Sequence, residues 1–558
     1  MSVYSYHTFV LPFVWEGEGK HQKSMKDFVA CFQNNPNWKC TNMKEEPKIY
    51  TESVFGNDAE AMLYYNEFQY FHPYVRKAIY GFDHNIVSNF SFRPDAVRNK
   101  ATYHIYRRYK SGKKDGNQKK DAVKHYVLSI NAINLKIYNT GIALFILECE
   151  NHGTDACGNS QRSFEDIKNI NDYGRRISLP FIPIEPSDYH TICADKLSVE
   201  IPGIDTFDDN YYEFAKSLWK KESISGEISL THMCDFVKRI LSYKSDLKFT
   251  SKWENSGNSE NNVYIYPAVD DRMFVNCFVL DEDVANAMRA QENGDYAFLE
   301  NDDLSKSLYE FAFIDPGKLD YNDKGNCTCR SSKMRRKLLE EHVYDRWADP
   351  DPESDFGTVY TVANQGLMAL ANGDEYGILS NPFLTEYVNM SSLCLVQKAT
   401  LIHFQREASA ISAGIEESGK KINRKTILKL MNLQERFVAY QSQLSFTEVT
   451  PQEQGIEMYD LLRKFMFIDR EQESLAKRLE SLESAADTNL DFGFNKIALI
   501  FTIVAIVLSL CGDVLMNIFE DGNILLRSSC YISWVFGLTL GISLAVAIII
   551  GYLYRRKK

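Results

Sequence analysis

The sequence predicts an α+β cytoplasmic body followed by long stalk helices and two carboxyl-terminal transmembrane helices. Three observations carry that expectation: two charge-free apolar segments close the chain, a heptad seam precedes them, and alternating strand patterns with amphipathic helices fill the rest. With 558 residues, 44% hydrophobic and 25% charged, the chain can bury a sizeable core, which excludes a fibrous or wholly disordered protein. The 63 Lys and Arg against 75 Asp and Glu give a formal charge of −12. That balance offers nucleic acid no bulk attraction, so no direct nucleic-acid partner is expected and any phosphate contact must be local.

The body is expected over residues 1–400. Its first residues lack the basic start and long apolar centre of a signal peptide. Arg107–Lys124, with KKDG and QKK, reads as a polar surface loop. Tyr126–Ile133 and Leu135–Glu148 read as strands, with Asn139-Thr140-Gly141 as a turn. Asp172-Tyr173-Gly174-Arg175-Arg176 then precedes an apolar run. Gly174 lets the backbone turn closely, while Arg175 and Arg176 supply fork-shaped donors for phosphate or carboxylate; an ion-pairing turn is the alternative.

Few motifs mark residues 195–274. Asp281–Ala297 reads as a helix and the following FAFI as a strand. The run CRSSKMRRKLLEEHVYDRWADP, from Cys329, gathers Arg330, Arg335 and Arg336 near Arg346 and Trp347. Arginines there could meet a nucleotide phosphate while its base stacks on Trp347 or Tyr344; the alternative is an amphipathic helix with a solvated charged face and Trp347 in the core. Gly357–Tyr376 matches neither a Walker A loop nor a Rossmann fingerprint, and no HExxH or Ser-His-Asp grouping is evident, so no enzyme is expected. The twelve cysteines are scattered, and Cys327 and Cys329 lack partners at zinc-site spacing.

The stalk is expected over residues 401–493. Thr426–Phe446 places Leu430, Leu433, Phe437, Tyr440 and Leu444 on one helical face. After Pro451, Ile456–Ala486 carries a seam of Leu461, Phe465, Ile468, Gln472, Leu475, Leu479, Leu482 and Ala486, spaced alternately by four and three. The two helices are expected to form an antiparallel hairpin running on toward Phe494, either as a moving element or as a passive stalk. Residues 494–513 and 531–554 read as the two spans, joined by 514–530, with RRKK at 555–558 placing both termini in the cytoplasm and the chain in the inner membrane. Two helices cannot enclose a pore, so conduction through this lipid-embedded end implies a homo-oligomer. In such a pore Asn495 would lie at the inner rim and Asp513 and Asn517 at the outer mouth; Asp513 as a headgroup-facing cap is the alternative.

This carboxyl-terminal pattern resembles the CorA family of divalent-cation channels, whose outer signature Gly-Met-Asn is matched by Leu515-Met516-Asn517 without its glycine. The enlarged body makes the chain most similar to the CorA-like membrane effectors of type III CRISPR systems. The resemblance implies a pentamer, a pore signature at Met516 and Asn517, and Mg2+ or another divalent cation at Asp513 and Asn517. It also implies gating by a nucleotide messenger, S-adenosylmethionine joined to AMP, held at Gly174, Arg175 and Arg176. A constitutive magnesium transporter and a membrane-anchored scaffold are the alternatives.

Overall fold

The first strand sets the architecture. Ser5–Gly17 (β1) is a thirteen-residue strand whose Phe9, Val10, Leu11, Phe13 and Val14 are buried. Along Ser5–Val14 it pairs antiparallel with Ile142–Asn151. On its other edge Ser5–Val10 pairs with Phe274–Leu280, and Phe13–Gly17 pairs with Asn262–Pro267. The change of partner falls at Leu11–Pro12. Proline has no N–H to give a ladder, and it stands where that edge has passed beyond one partner and not yet met the next.

In the computed structural model the described residues are 3–17, 25–44, 59–82, 86–115, 118–154, 158–178, 193–211, 235–250, 262–288, 296–315, 328–349, 356–417 and 424–485. They contain a fourteen-stranded mixed sheet. After β1 its strands are Trp38–Cys40 (β2), Val87–Phe92 (β3), Ala101–Asp115 (β4), Gln118–Tyr138 (β5), Ile142–Asn151 (β6), Lys196–Ile201 (β7) and Asp205–Asp209 (β8). Lys248–Thr250 (β9), Asn262–Pro267 (β10), Phe274–Leu280 (β11), Val343–Trp347 (β12), Thr358–Ala363 (β13) and Gly366–Ala371 (β14) complete it. The main path runs β12-β13-β14-β11-β1-β6-β5-β4-β7-β8. Pairing along it is antiparallel except between β11 and β14.

Six helices frame the region of interest: Phe164–Gly174 (α1), Asp302–Ala312 (α2), Ser332–His342 (α3), Val388–Glu417 (α4), Arg424–Gln443 (α5) and Glu453–Met466 (α6). Ser163 caps α1 through a capping box with Asp166, which satisfies backbone donors at the helix start. Tyr173, Ile167 and Ile170 of α1 join the core formed with Phe9, Ile105 and Tyr103. Each such apolar side chain contributes about 1.5–3 kcal/mol on burial.

The described chain divides into two compact units. One comprises Met1–Ala410 with Met431–Arg478; the other comprises Ile411–Leu430 with Leu479–Lys558, of which residues 411–417, 424–430 and 479–485 are described and helical.

The expected fold class needs correction. The described residues form a mixed α/β fold around one large sheet, and no helix among them is long and apolar enough to cross a membrane. Even the thirty-residue α4 carries Lys398, Arg406 and Glu407 in its course, and its apolar side chains Leu393, Val396, Leu401 and Phe404 are buried within the protein. The multi-pass inner-membrane placement and the ion-transport reading drawn from it are therefore not borne out among the described residues. The segments 494–513, 514–530, 531–554 and 555–558, with Asn495, Asp513, Met516 and Asn517, lie outside the described residues.

Three local expectations also change. Arg107–Lys124, read as a loop, lies largely in β4 and β5, because backbone pairing between the two strands tolerates a charged run. FAFI closes the helix α2, where Leu308 and Phe311 share a buried face three residues apart. The seam around 461–482 is not one continuous helix: α6 stops at Met466, Phe467 turns left-handed at φ 60°, and helical backbone resumes at 468.

Candidate ligand cavity

A cavity of about 460 Å³ opens beside the C-terminal end of α1. Arg175, Arg176 and Arg272 form its basic side, and Tyr309, Phe313, His342, Phe465 and Phe467 its aromatic side, with Ile314, Asp315, Ala363, Asn364 and Gln365 completing the lining.

The basic side begins where α1 ends. Gly174 is not a point of ligand approach: a Cβ there would come within 2.8 Å of Ile105 Cδ1 and 2.9 Å of Phe9 Cζ. Its carbonyl accepts a 2.7 Å bond from the Tyr103 hydroxyl, which seats the helix end on the sheet. Arg175 follows and is 1% exposed. Its Nη1 donates to Gln365 Oε1 at 2.6 Å and its Nη2 to the Ile314 carbonyl at 3.0 Å. Its Nε lacks a hydrogen-bond partner, with Asp172 4.0 Å away. Burial pushes this guanidinium down to about 9, still charged at neutral pH.

Arg176 and Arg272 lie opposite each other in an isolated antiparallel bridge, which sets their side chains on neighbouring backbones. Arg176 uses Nε and Nη2 on Asp172 Oδ1, at 3.0 and 2.7 Å. Arg272 uses Nε and Nη2 on Asp270 Oδ2, at 3.2 and 3.0 Å, with Asp271 3.4 Å from its Nε. A guanidinium has five N–H donors, and among the described residues no hydrogen bond or ion pair engages the Nη1 group of either. Burial and the neighbouring Asp270 raise the Asp271 carboxyl to about 6, whereas Asp270 is held below the usual range: burial works against its charge, but hydrogen bonds from Asp271 and Arg272 outweigh it.

On the aromatic side His342 Nδ1 donates to the Val362 carbonyl at 2.6 Å, which assigns the remaining lone pair of the neutral ring to Nε2. Burial lowers its pKa, favouring that neutral form. Phe465 stacks on the imidazole at 3.6 Å between centroids, Phe313 meets it edge-on at 4.8 Å, and Tyr309 stacks with Phe313 at 4.7 Å. Phe467 stands at the left-handed break, 43% exposed.

The Asn364–Gln365 turn joins the two sides to the rest of the protein. It links β13 to β14, and it is held close because a Cβ on Gly366 would lie 2.9 Å from the Val275 carbonyl. Gln365 accepts from Arg175, while Asn364 accepts from Lys398 of α4. Movement of the turn would therefore be felt by a long helix.

Of the residues expected to bind a ligand, Arg175 and Arg176 line the cavity; Gly174 supports them from the core. Arg335 lies elsewhere, 1% exposed, bonded to Ser305 Oγ at 3.0 Å and the Cys329 carbonyl at 2.6 Å and paired with Asp302. Arg330 is exposed and Arg336 half-buried on α3. Arg346 pairs with Glu457 at 2.6 Å and Glu453 at 3.5 Å, and Trp347 meets Tyr344 and Tyr360 edge-on at 5.8 and 6.0 Å. The second arginine segment thus contributes His342 to the cavity, not its arginines.

Sequence reading missed Arg272, which follows Asp270-Asp271 just before the apolar β11, and the ring wall drawn from α2, α3 and α6. An arginine at a strand entrance is a recognisable signal; the convergence of rings from three distant helices is not. Among the described residues no group of three or more His, Cys, Asp or Glu is placed to hold a metal ion. The expected cation site at Asp513 and Asn517 lies outside them. No protein-family model and no curated protein matches the chain.

Proposed function

We propose that this chain is a sensor for a small nucleotide messenger, the S-adenosylmethionine–AMP conjugate of type III CRISPR antiviral defence. One observation carries the reading: the paired Arg176 and Arg272 face a ring-lined cavity of nucleotide-compatible size with donors still unused. The phosphate would take the Nη1 groups, and adenine would lie against the aromatic wall. Arg175 supports the reading as a buried charge reaching both Gln365 and Ile314, so that a nearby anion would relieve its incomplete hydrogen bonding.

Sensing requires that the bound state differ from the free one. The turn at Asn364–Gln365 and the left-handed break at Phe467 both stand at the cavity, where occupancy would be registered. Calorimetric titration of the full chain with the conjugate tests the reading. Saturable binding to wild type, weakened at least about tenfold in Arg176→Ala and Arg272→Ala, is expected. Wild type that takes up no conjugate would overturn it, as would arginine variants of unchanged affinity.

A further inference from the structure

Asp315 differs from the other carboxylates around the cavity. Asp172 is held by Arg176, and Asp270 and Asp271 by Arg272. Asp315 instead accepts from the neutral Thr328 hydroxyl, and no cation pairs with it among the described residues. It closes the last turn of α2: its N–H donates to the Glu310 carbonyl at 3.1 Å, and Ile314 before it is left-handed at φ 48°. The same turn carries the stacked rings of Tyr309 and Phe313.

These groups share one electrostatic preference. A helix C-terminus bears about half a negative elementary charge, aromatic faces are negative, and the carboxylate adds a full charge. An anion would be repelled there and a cation drawn in. The arginines, by contrast, offer donors but have most of their charge offset by Asp172, Asp270 and Asp271. A ligand bearing only negative charge would complement one part of this lining and oppose the other.

We propose that the cavity takes a ligand with an organic cation, sulfonium or ammonium, beside its anionic group, and that Asp315 with the Tyr309–Phe313 stack is the cation subsite. This deepens, and rests on, the messenger-sensing reading above. Arg176 and Arg272 hold the anionic part; Asp315 discriminates the cationic one.

The experiment compares three probes on the full chain: the S-adenosylmethionine–AMP conjugate, its demethylated S-adenosylhomocysteine counterpart, and AMP alone. Asp315→Asn should weaken the sulfonium conjugate about tenfold and leave AMP within about twofold. If the demethylated conjugate loses nothing in Asp315→Asn, the carboxylate reads sulfonium; if it loses as much, the carboxylate reads the ammonium, and either result supports the subsite. Thr328→Val, which removes the same hydrogen bond but keeps the charge, should bind the conjugate within about twofold of wild type and so separates charge from folding. Conjugate affinity unchanged in Asp315→Asn, or lost equally for AMP, overturns the subsite while leaving the sensor intact. Failure of wild type to bind the conjugate overturns both.

Discussion

Arg175 and Arg335 are equally buried, each 1% exposed, yet their surroundings differ in kind. Arg335 uses Nε, Nη1 and Nη2 on Ser305, the Cys329 carbonyl and Asp302, clamping α3 to α2. Arg175 has both terminal nitrogens bonded to neutral oxygens, an unbonded Nε and an open cavity beside it. A buried guanidinium with its bonds complete acts as structure; one left short of partners beside a cavity has capacity to meet a ligand. Sequence clustering of arginines does not distinguish the two cases.

The contrast is most directly broken by truncation. Arg335→Met leaves the Cys329 carbonyl and Ser305 without their partner and should cost about 2–4 kcal/mol in urea unfolding while conjugate affinity stays unchanged. An unaltered unfolding midpoint would remove the clamp from the comparison. Arg175→Met relieves an imperfectly compensated charge as it deletes two bonds, so its cost should be smaller, about 1–2 kcal/mol, with conjugate affinity clearly reduced. A larger unfolding cost than in Arg335→Met would invert the ranking.

A third arrangement, half-buried, sharpens it. Arg436 donates to both oxygens of Glu407 at 2.7 and 3.0 Å, and His403 lies 2.8 Å from the same carboxylate. Burial alone would raise the Glu407 carboxyl, but the His403 and Arg436 hydrogen bonds outweigh it and hold it at about 2, against an ordinary 4.5. A depressed acid contributes stability that is complete above its unfolded value and is lost as pH falls through the folded one. Acid unfolding should therefore show a component between about pH 4.5 and 2, and Arg436→Gln should move it upward; identical acid transitions would count against the pairing. The smallest change is expected at the break. Phe467→Gly removes the side chain from a left-handed residue, and a gain of about 0.5–1 kcal/mol is expected in thermal unfolding.

Local chemistry was the more legible part. The DYGRR run placed two adjacent arginines before an apolar stretch, though not the helix that ends there, and Asn139-Thr140-Gly141 announced the turn between β5 and β6, where Gly141 takes φ 91°. The seam from Leu461 to Leu482 marked a face whose Phe465, Ile468 and Leu475 are buried, and its polar position Gln472 accepts from Ser445 Oγ at 2.8 Å. Periodicity could not show the interruption at Phe467, since a phenylalanine there satisfies the helical pattern equally well. Nor could it distinguish FAFI as helix from strand, because four apolar residues lack a diagnostic period. The sheet order was hidden for a different reason: β11 lies parallel to β14 through partners nearly a hundred residues apart, roughly the scale at which chain spacing carries no pairing information.

The divided edge of β1 bears on how the chain is made. The strand precedes all its partners in the chain: its neighbour on one side ends at Asn151 and those on the other span Asn262 to Leu280. An apolar ribbon with one row of amides open must therefore wait until the chain has been made through Leu280. Any product that halts before Asn262 retains that sticky margin, making early termination a greater hazard for aggregation than loss of the distal end.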